Sequence, residues 1–354
     1  AAAGPIVGPI LAGVMFGWVP ALVWILVGSI LIGGVHDFTA LVASVRHKAH
    51  SIAEVVRQHM SHRSFVLFLS FVWLALIYII VAFTDITASS FVGQQELENG
   101  AIVTGGGIAS SSLMYLALPI IMGLVVRYTG MSMDRATIFF LPLVGVAIWL
   151  GQKVPFDLTK VLQKFHPGAD DKLAHQAWDI ILLVYCCIAS VVPMWLLLQP
   201  RGQLGGYFLY AALGAGAVGL LVGGQPIQYP AVTSGTWDGS NAMFPMLFIT
   251  IACGACWGFH SLIASGTTSK HLSRETDARP IGYGAMLLEA MVAIISLCCV
   301  MMLAPGSDAV KTPRPNYIYA LGIGSFLQSI GIPPELGVSF ALMAFTTFVY
   351  DTLD

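Results

Sequence analysis

Apolar residues fall in long runs separated by short polar joints, and this pattern predicts helices over 5–16, 20–46, 65–92, 111–127, 136–152, 180–199, 206–223, 244–269, 281–303, 317–330 and 336–350. A helix that crosses a bilayer needs about 20 mostly apolar residues, and several of these runs supply them. Two runs are interrupted. The first, behind GPIVGP with Gly4, Pro5, Gly8 and Pro9, leaves only about a dozen helical residues before Trp18–Pro20. A helix of that length rises about 18 Å, too little for a hydrocarbon core of about 30 Å. Its amino end is therefore expected at membrane depth, where irregular backbone is tolerated only inside protein or along a cavity. The second, FPMLFITIACGACWGFHSLIASGTTS at 244–269, has a weak point between Gly254 and Gly258 and a short helix expected from about Phe259.

The joints orient these elements. If 46–64 is cytoplasmic, alternation places ten of the 16 Lys and Arg residues inside and six outside, the bias that cytoplasmic loops carry. The two interrupted elements then run in opposite directions, and each precedes a long apolar helix, 20–46 and 281–303. Such inverted, glycine- or proline-broken pairs mark the substrate site of secondary transporters. Their amino ends, near Gly4–Gly8 and Gly258–Ser261, are expected to face one another and to present unpaired N–H groups to an anion such as a carboxylate.

Composition agrees with the pattern. The chain of 354 residues is 57% hydrophobic and 10% charged, with a mean hydropathy of +0.82, whereas a soluble domain carries roughly 25% charge. The fold class expected is all-α: a polytopic membrane helix bundle with discontinuous helices, forming a single transmembrane domain over 1–354. Net charge of −2 without a long charged run argues against a nucleic-acid partner. The chain lacks an initiator methionine and ends DTLD directly after an apolar run, so it is expected to be the core of a longer protein. The six cysteines lie in apolar surroundings and suggest no disulfide framework.

Polar residues at membrane depth are costly and default to function. His36 and Asp37 stand together in SILIGGVHDFTALVASV, Asp85 in IIVAFTDITASSFV and Glu289 in GAMLLEAMVAII. These four are candidates for coupling to H+ or Na+, against the alternative that each is an interhelical hydrogen-bonding group. The expected substrate site comprises Gly4, Pro5 and Gly8 with Gly258, His260, Ser261, Ser265, Thr267 and Thr268, although Ser and Thr also bond back to their own helix. Cys253, Cys256 and His260 have no second Cys or His pair at zinc-like spacing, so no metal is expected. No nucleotide-binding loop of the Gly-Lys-Ser/Thr type is present, no catalytic activity is expected, and no cofactor is expected.

The stretches GPIVGP, GVHDFTALVASVR and ITIACGACWGFHSLIASGTTSKHLSRETDARPIGYGAMLLEA resemble the carbon starvation protein A family of bacterial inner-membrane transporters. The resemblance implies secondary uptake of short peptides, or of pyruvate in some relatives, and a core related to the amino acid and polyamine transporters. It also implies that further helices precede and follow this chain. In a five-helix inverted repeat the second broken helix would be sixth, whereas counting from 5–16 makes it eighth. Two other classes compete: a membrane redox subunit with His36 and His260 as axial haem ligands, and a channel.

Overall fold

The computed structural model describes residues 3–96, 102–233, 242–256 and 259–353. Helices α1 (Gly4–Phe16) and α2 (Trp18–Gly28) lead through one π turn (Ser29–Gly33) into α3 (Gly34–Arg46), followed by α4 (Ile52–His59) and α5 (His62–Ser90). A small antiparallel hairpin, β1 (Gln94–Glu96) and β2 (Ile102–Thr104), pairs Gln95 with Val103. Then come α6 (Gly105–Thr129), α7 (Met133–Lys153), α8 (Leu158–Phe165), α9 (Asp171–Val191) and α10 (Leu198–Gly223). The second interrupted stretch is α11 (Met243–Thr250), α12 (Ala252–Ala255) and α13 (Phe259–Gly266). A second π turn (Arg279–Tyr283) opens α14 (Gly284–Met301), and α15 (Asp308–Lys311), α16 (Pro315–Ser329) and α17 (Pro334–Leu353) follow.

Apart from the hairpin, the described fold is helical, and seven spans are long and apolar enough to cross a membrane. The protein is a multi-pass membrane protein. Large apolar side chains such as Leu31, Leu67, Phe71, Trp73, Ile180 and Leu221 are exposed, which in water would be an aggregation hazard and in a bilayer is the lipid-facing surface.

Each apolar run of the sequence coincides with a helix, with ends displaced where polar residues are helical. The run at 180–199 is Asp171–Val191 instead. Asp170 caps it, its Oδ1 accepting from Leu173 N at 2.9 Å, so the polar first turns belong to the helix rather than to the joint. Likewise 206–223 begins at Leu198. The short α4 and α8, in the polar joints 46–64 and 153–179, carry too few apolar residues to register as spans. Ser51 caps α4 through Glu54 N, and Asp157 caps α8 through Lys160 N.

The described chain divides into two compact units. One comprises Ile79–Gln225 and Asn316–Asp354, with Ala1–Ala3. Within it α6 packs on α7, and α17 packs on α10, α6 and α7. Asn316 Nδ2 donates to Ser90 Oγ at 2.7 Å, and Ser112 and Thr346 share a hydrogen bond of 3.0 Å, both buried. The other unit comprises Gly4–Tyr78 and Pro226–Pro315. It holds both interrupted stretches and both long helices that follow them. Its core joins Phe16, Ile25, Leu247, Ile251, Ala290 and Leu297, so α1, α2, α11, α12 and α14 close around one centre.

Candidate functional site

The site begins with how closely these helices approach. A Cβ at Gly8 would strike the backbone carbonyl oxygen of Thr250, at the step from α11 to α12. Nearby, a Cβ at Gly33 would lie 2.6 Å from the Ala255 carbonyl oxygen, and one at Gly28 would lie 2.6 Å from the Ala255 side chain. Glycine alone lets backbone meet backbone here. The stretch α11–α13 is broken, as its sequence predicts. Ile251 (φ −97°, ψ 11°) separates α11 from α12, and Cys256 (φ −156°, ψ 62°) ends α12. The contact of Gly8 thus falls at Thr250–Ile251, about two helical turns before the Gly258–Ser261 stretch where it was expected. Gly258 itself lies outside the described residues.

The two π turns are tied together. Tyr283 Oη, in the second, donates to the carbonyl oxygen of Ile30, in the first, at 2.8 Å. The Tyr283 ring occupies the space beside Gly34, and a Cβ at Gly282 would lie 2.9 Å from Phe38 Cα. This crossing sets α3 between the second π turn, α13 and α14. Turns of this type recur at functional sites, and here each one precedes an acidic residue, Asp37 or Glu289.

Asp37, from the first turn of α3, is 1% exposed and is held by two imidazoles. His36 Nδ1 approaches its Oδ1 at 3.0 Å, and His260 Nδ1, from the second residue of α13, approaches its Oδ2 at 2.6 Å. The shorter contact is a hydrogen bond that ties α13 to α3. The opposite ring nitrogen of His260, Nε2, lies 3.9 Å from Glu289 Oε1 on α14, where Glu289 is 4% exposed. That distance is too long for a hydrogen bond and short enough for strong charge interaction where water is scarce. Asp37, His260 and Glu289 therefore form a buried carboxylate–imidazole–carboxylate chain bridging three helices of one unit.

The remaining sequence candidates separate. Gly4, Pro5 and Gly8 are buried on α1, which packs against α14, α2, α12 and α11. Ser261 is buried one residue beyond His260. Ser265 is a structural tie: its Oγ donates to Ser261 O at 2.7 Å and accepts from Ile52 N at 3.0 Å, while Ser44 Oγ donates to its carbonyl oxygen at 3.1 Å. It thereby fastens α13 to the α3–α4 connection. Thr267 and Thr268 lie past the end of α13. Asp85 belongs to the other unit, where it pairs with His175 at 3.5 Å. Its exposed carboxylate is not part of the Asp37 chain.

Ser265→Ala is expected to cost about 1–3 kcal/mol by leaving the Ile52 N–H without this acceptor. Thermal unfolding in detergent should show the loss, and ligand affinity measured on the folded fraction should stay within about twofold of wild type. A larger affinity loss would make Ser265 a binding residue.

The family model for carbon starvation protein CstA matches residues 1–313. The chain belongs to this family. A peptide transporter CstA from Helicobacter pylori is 36% identical over 331 residues, covering 89% of this chain and 44% of the relative. A pyruvate/proton symporter BtsT from Escherichia coli is 34% identical over 323 residues, covering 88% and 42%. A peptide transporter CstA from Bacillus subtilis is 33% identical over 333 residues, covering 91% and 51%. The chain thus spans about half the length of the curated relatives it matches. No solved structure gives a significant match.

Proposed function

We propose that this family member is the core of a secondary active transporter that imports short peptides, or a small carboxylate such as pyruvate, together with H+ by alternating access. The observation that carries the proposal is the buried Asp37–His260–Glu289 chain. Two carboxylates converging on one imidazole make uncompensated negative charge costly at membrane depth, and a bound proton would offset it. Loading and unloading one proton would thereby bias two packings of α3, α13 and α14. An imidazole between two carboxylates suits a proton better than Na+, which takes oxygen ligands. The relatives named peptide transporter and pyruvate/proton symporter support the substrate class and the ion.

The inverted repeat is part of this reading. Both interrupted stretches, both long helices behind them and both π turns lie in one unit. The glycines that admit backbone contact between α1 and the α11–α12 step would let the two halves slide without rebuilding side-chain packing.

Purified protein in proteoliposomes, given labelled dipeptide and labelled pyruvate with and without an inward proton gradient, tests the substrate and the driving ion together. Uptake of at least one of the two is expected to rise about tenfold for one pH unit if one proton accompanies each substrate. Uptake that follows a Na+ gradient and ignores pH would contradict the ion assignment.

A further inference from the structure

Among the described residues, a second convergence of ligating side chains lies in the unit that does not contain the Asp37 chain. Near the end of α5 stands Asp85, and on the first turns of α9 stand His175 and Asp179. The latter two share one helix face because residues four apart are neighbours there. One ligand atom from each of the three lies within 4.8 Å of the others. His175 Nε2 is 3.5 Å from Asp85 Oδ1 and 3.0 Å from the Asp85 backbone carbonyl oxygen. Trp178, between them in sequence, is 2% exposed and packs edge-on against Phe91 and Phe156, which fixes α9 beside the end of α5.

Asp179 Oδ1 is buried and has no hydrogen-bond donor among the described residues. A carboxylate oxygen shut away from water without a donor is stabilised by a cation or a proton beside it, and the nearby ligand atoms of His175 and Asp85 favour the cation. We infer that Asp85, His175 and Asp179 bind a divalent first-row transition cation, for which Zn2+ is the reference probe, and that the ion ties α5 to α9. Two carboxylates and a neutral imidazole match a charge of 2+. An imidazole ligand favours Zn2+ and its neighbours over Mg2+ or Ca2+, which prefer oxygen. Three protein ligands leave the remaining positions to water, and the exposed side of the cluster at Asp85 admits it. The Asp85 side chain, 63% exposed, has room to rotate the remaining distance toward the ion. Binding through Nε2 moves the ring proton to Nδ1, and the Asp85 carbonyl is then placed as a further oxygen ligand.

The test uses tag-free full-length protein in detergent, because engineered histidines would bind the same ions. Equilibrium dialysis against Zn2+, and the visible absorption of added Co2+, are compared for wild type, His175→Ala, Asp179→Asn and Asp85→Asn. Wild type should hold one more Zn2+ per chain than His175→Ala, with affinity reduced at least about tenfold in either Asp variant, and its melting temperature should rise with Zn2+ only when the three residues are present. Should His175→Ala fail to fold, the exposed Asp85→Asn carries the comparison alone. Equal Zn2+ binding by wild type and the variants would overturn the inference. So would absent Zn2+ binding by wild type.

Discussion

Asp37→Asn is expected to reduce proton-driven accumulation of substrate to equilibration, while substrate binding and downhill exchange persist. The argument is one of charge. On the proposed coupling, the proton carried with substrate offsets the negative charge that the two carboxylates around His260 would hold, and the variant has one carboxylate fewer to offset. Asparagine keeps the shape of the side chain and can still accept from an imidazole N–H, so the 2.6 Å contact with His260 need not leave that ring unpaired. With one proton per substrate, a gradient of one pH unit sustains about tenfold accumulation, and the variant should show about none. Proteoliposomes with equal reconstitution of both proteins give the comparison. Wild-type accumulation by Asp37→Asn would reduce the residue to an interhelical hydrogen bond.

Gly8→Ala is expected to be among the most damaging single-methyl additions in the chain. The new Cβ meets the Thr250 carbonyl oxygen and lies 3.4 Å from Ile251 Cα, both backbone atoms that no rotamer change can remove. Overpacking of this kind costs typically about 1–3 kcal/mol. It also displaces α1 from the break at which the proposed halves slide, so transport should fall further than stability does. Gly145→Ala is the control: nothing lies within 4 Å of its added Cβ, and a mid-helix alanine in α7 should be neutral or stabilising by up to about 1 kcal/mol. Similar thermal shifts for the two variants would show that the approach of α1 to Thr250 carries no special constraint.

The sequence made the helical membrane architecture legible because apolar run length is a direct reading of bilayer thickness. The interruption at 244–269 was also legible, since two glycines in an apolar run weaken a helix wherever it packs. The break at Cys256 falls between Gly254 and Gly258, and α13 begins at Phe259, both where the sequence places them; the earlier step at Ile251, beside which Gly8 of α1 lies, had no local signal. Asp37, Glu289 and His260 each stood out as polar residues in apolar runs. Their joining into one chain was invisible, since they are separated by more than 220 and by 29 positions and meet only through the crossing of α3, α13 and α14. Ser265 stood out as a site hydroxyl, but its bonds to Ile52 and Ser44, which lie far away in sequence, were not legible there. The two π turns had no signal at all, because their five-residue sequences, SILIG and RPIGY, share no pattern.

The most direct test of proton coupling is the proton itself. Proteoliposomes in lightly buffered medium, with a pH-sensitive dye outside and no imposed gradient, are given the transported substrate. Wild type is expected to alkalinise the medium on substrate addition, at about one proton per substrate taken up. Asp37→Asn and Glu289→Gln, each with one carboxylate fewer around His260, are expected to take up substrate with no alkalinisation. Substrate-linked proton movement that is undiminished in both variants would contradict the assignment of coupling to the Asp37–His260–Glu289 chain.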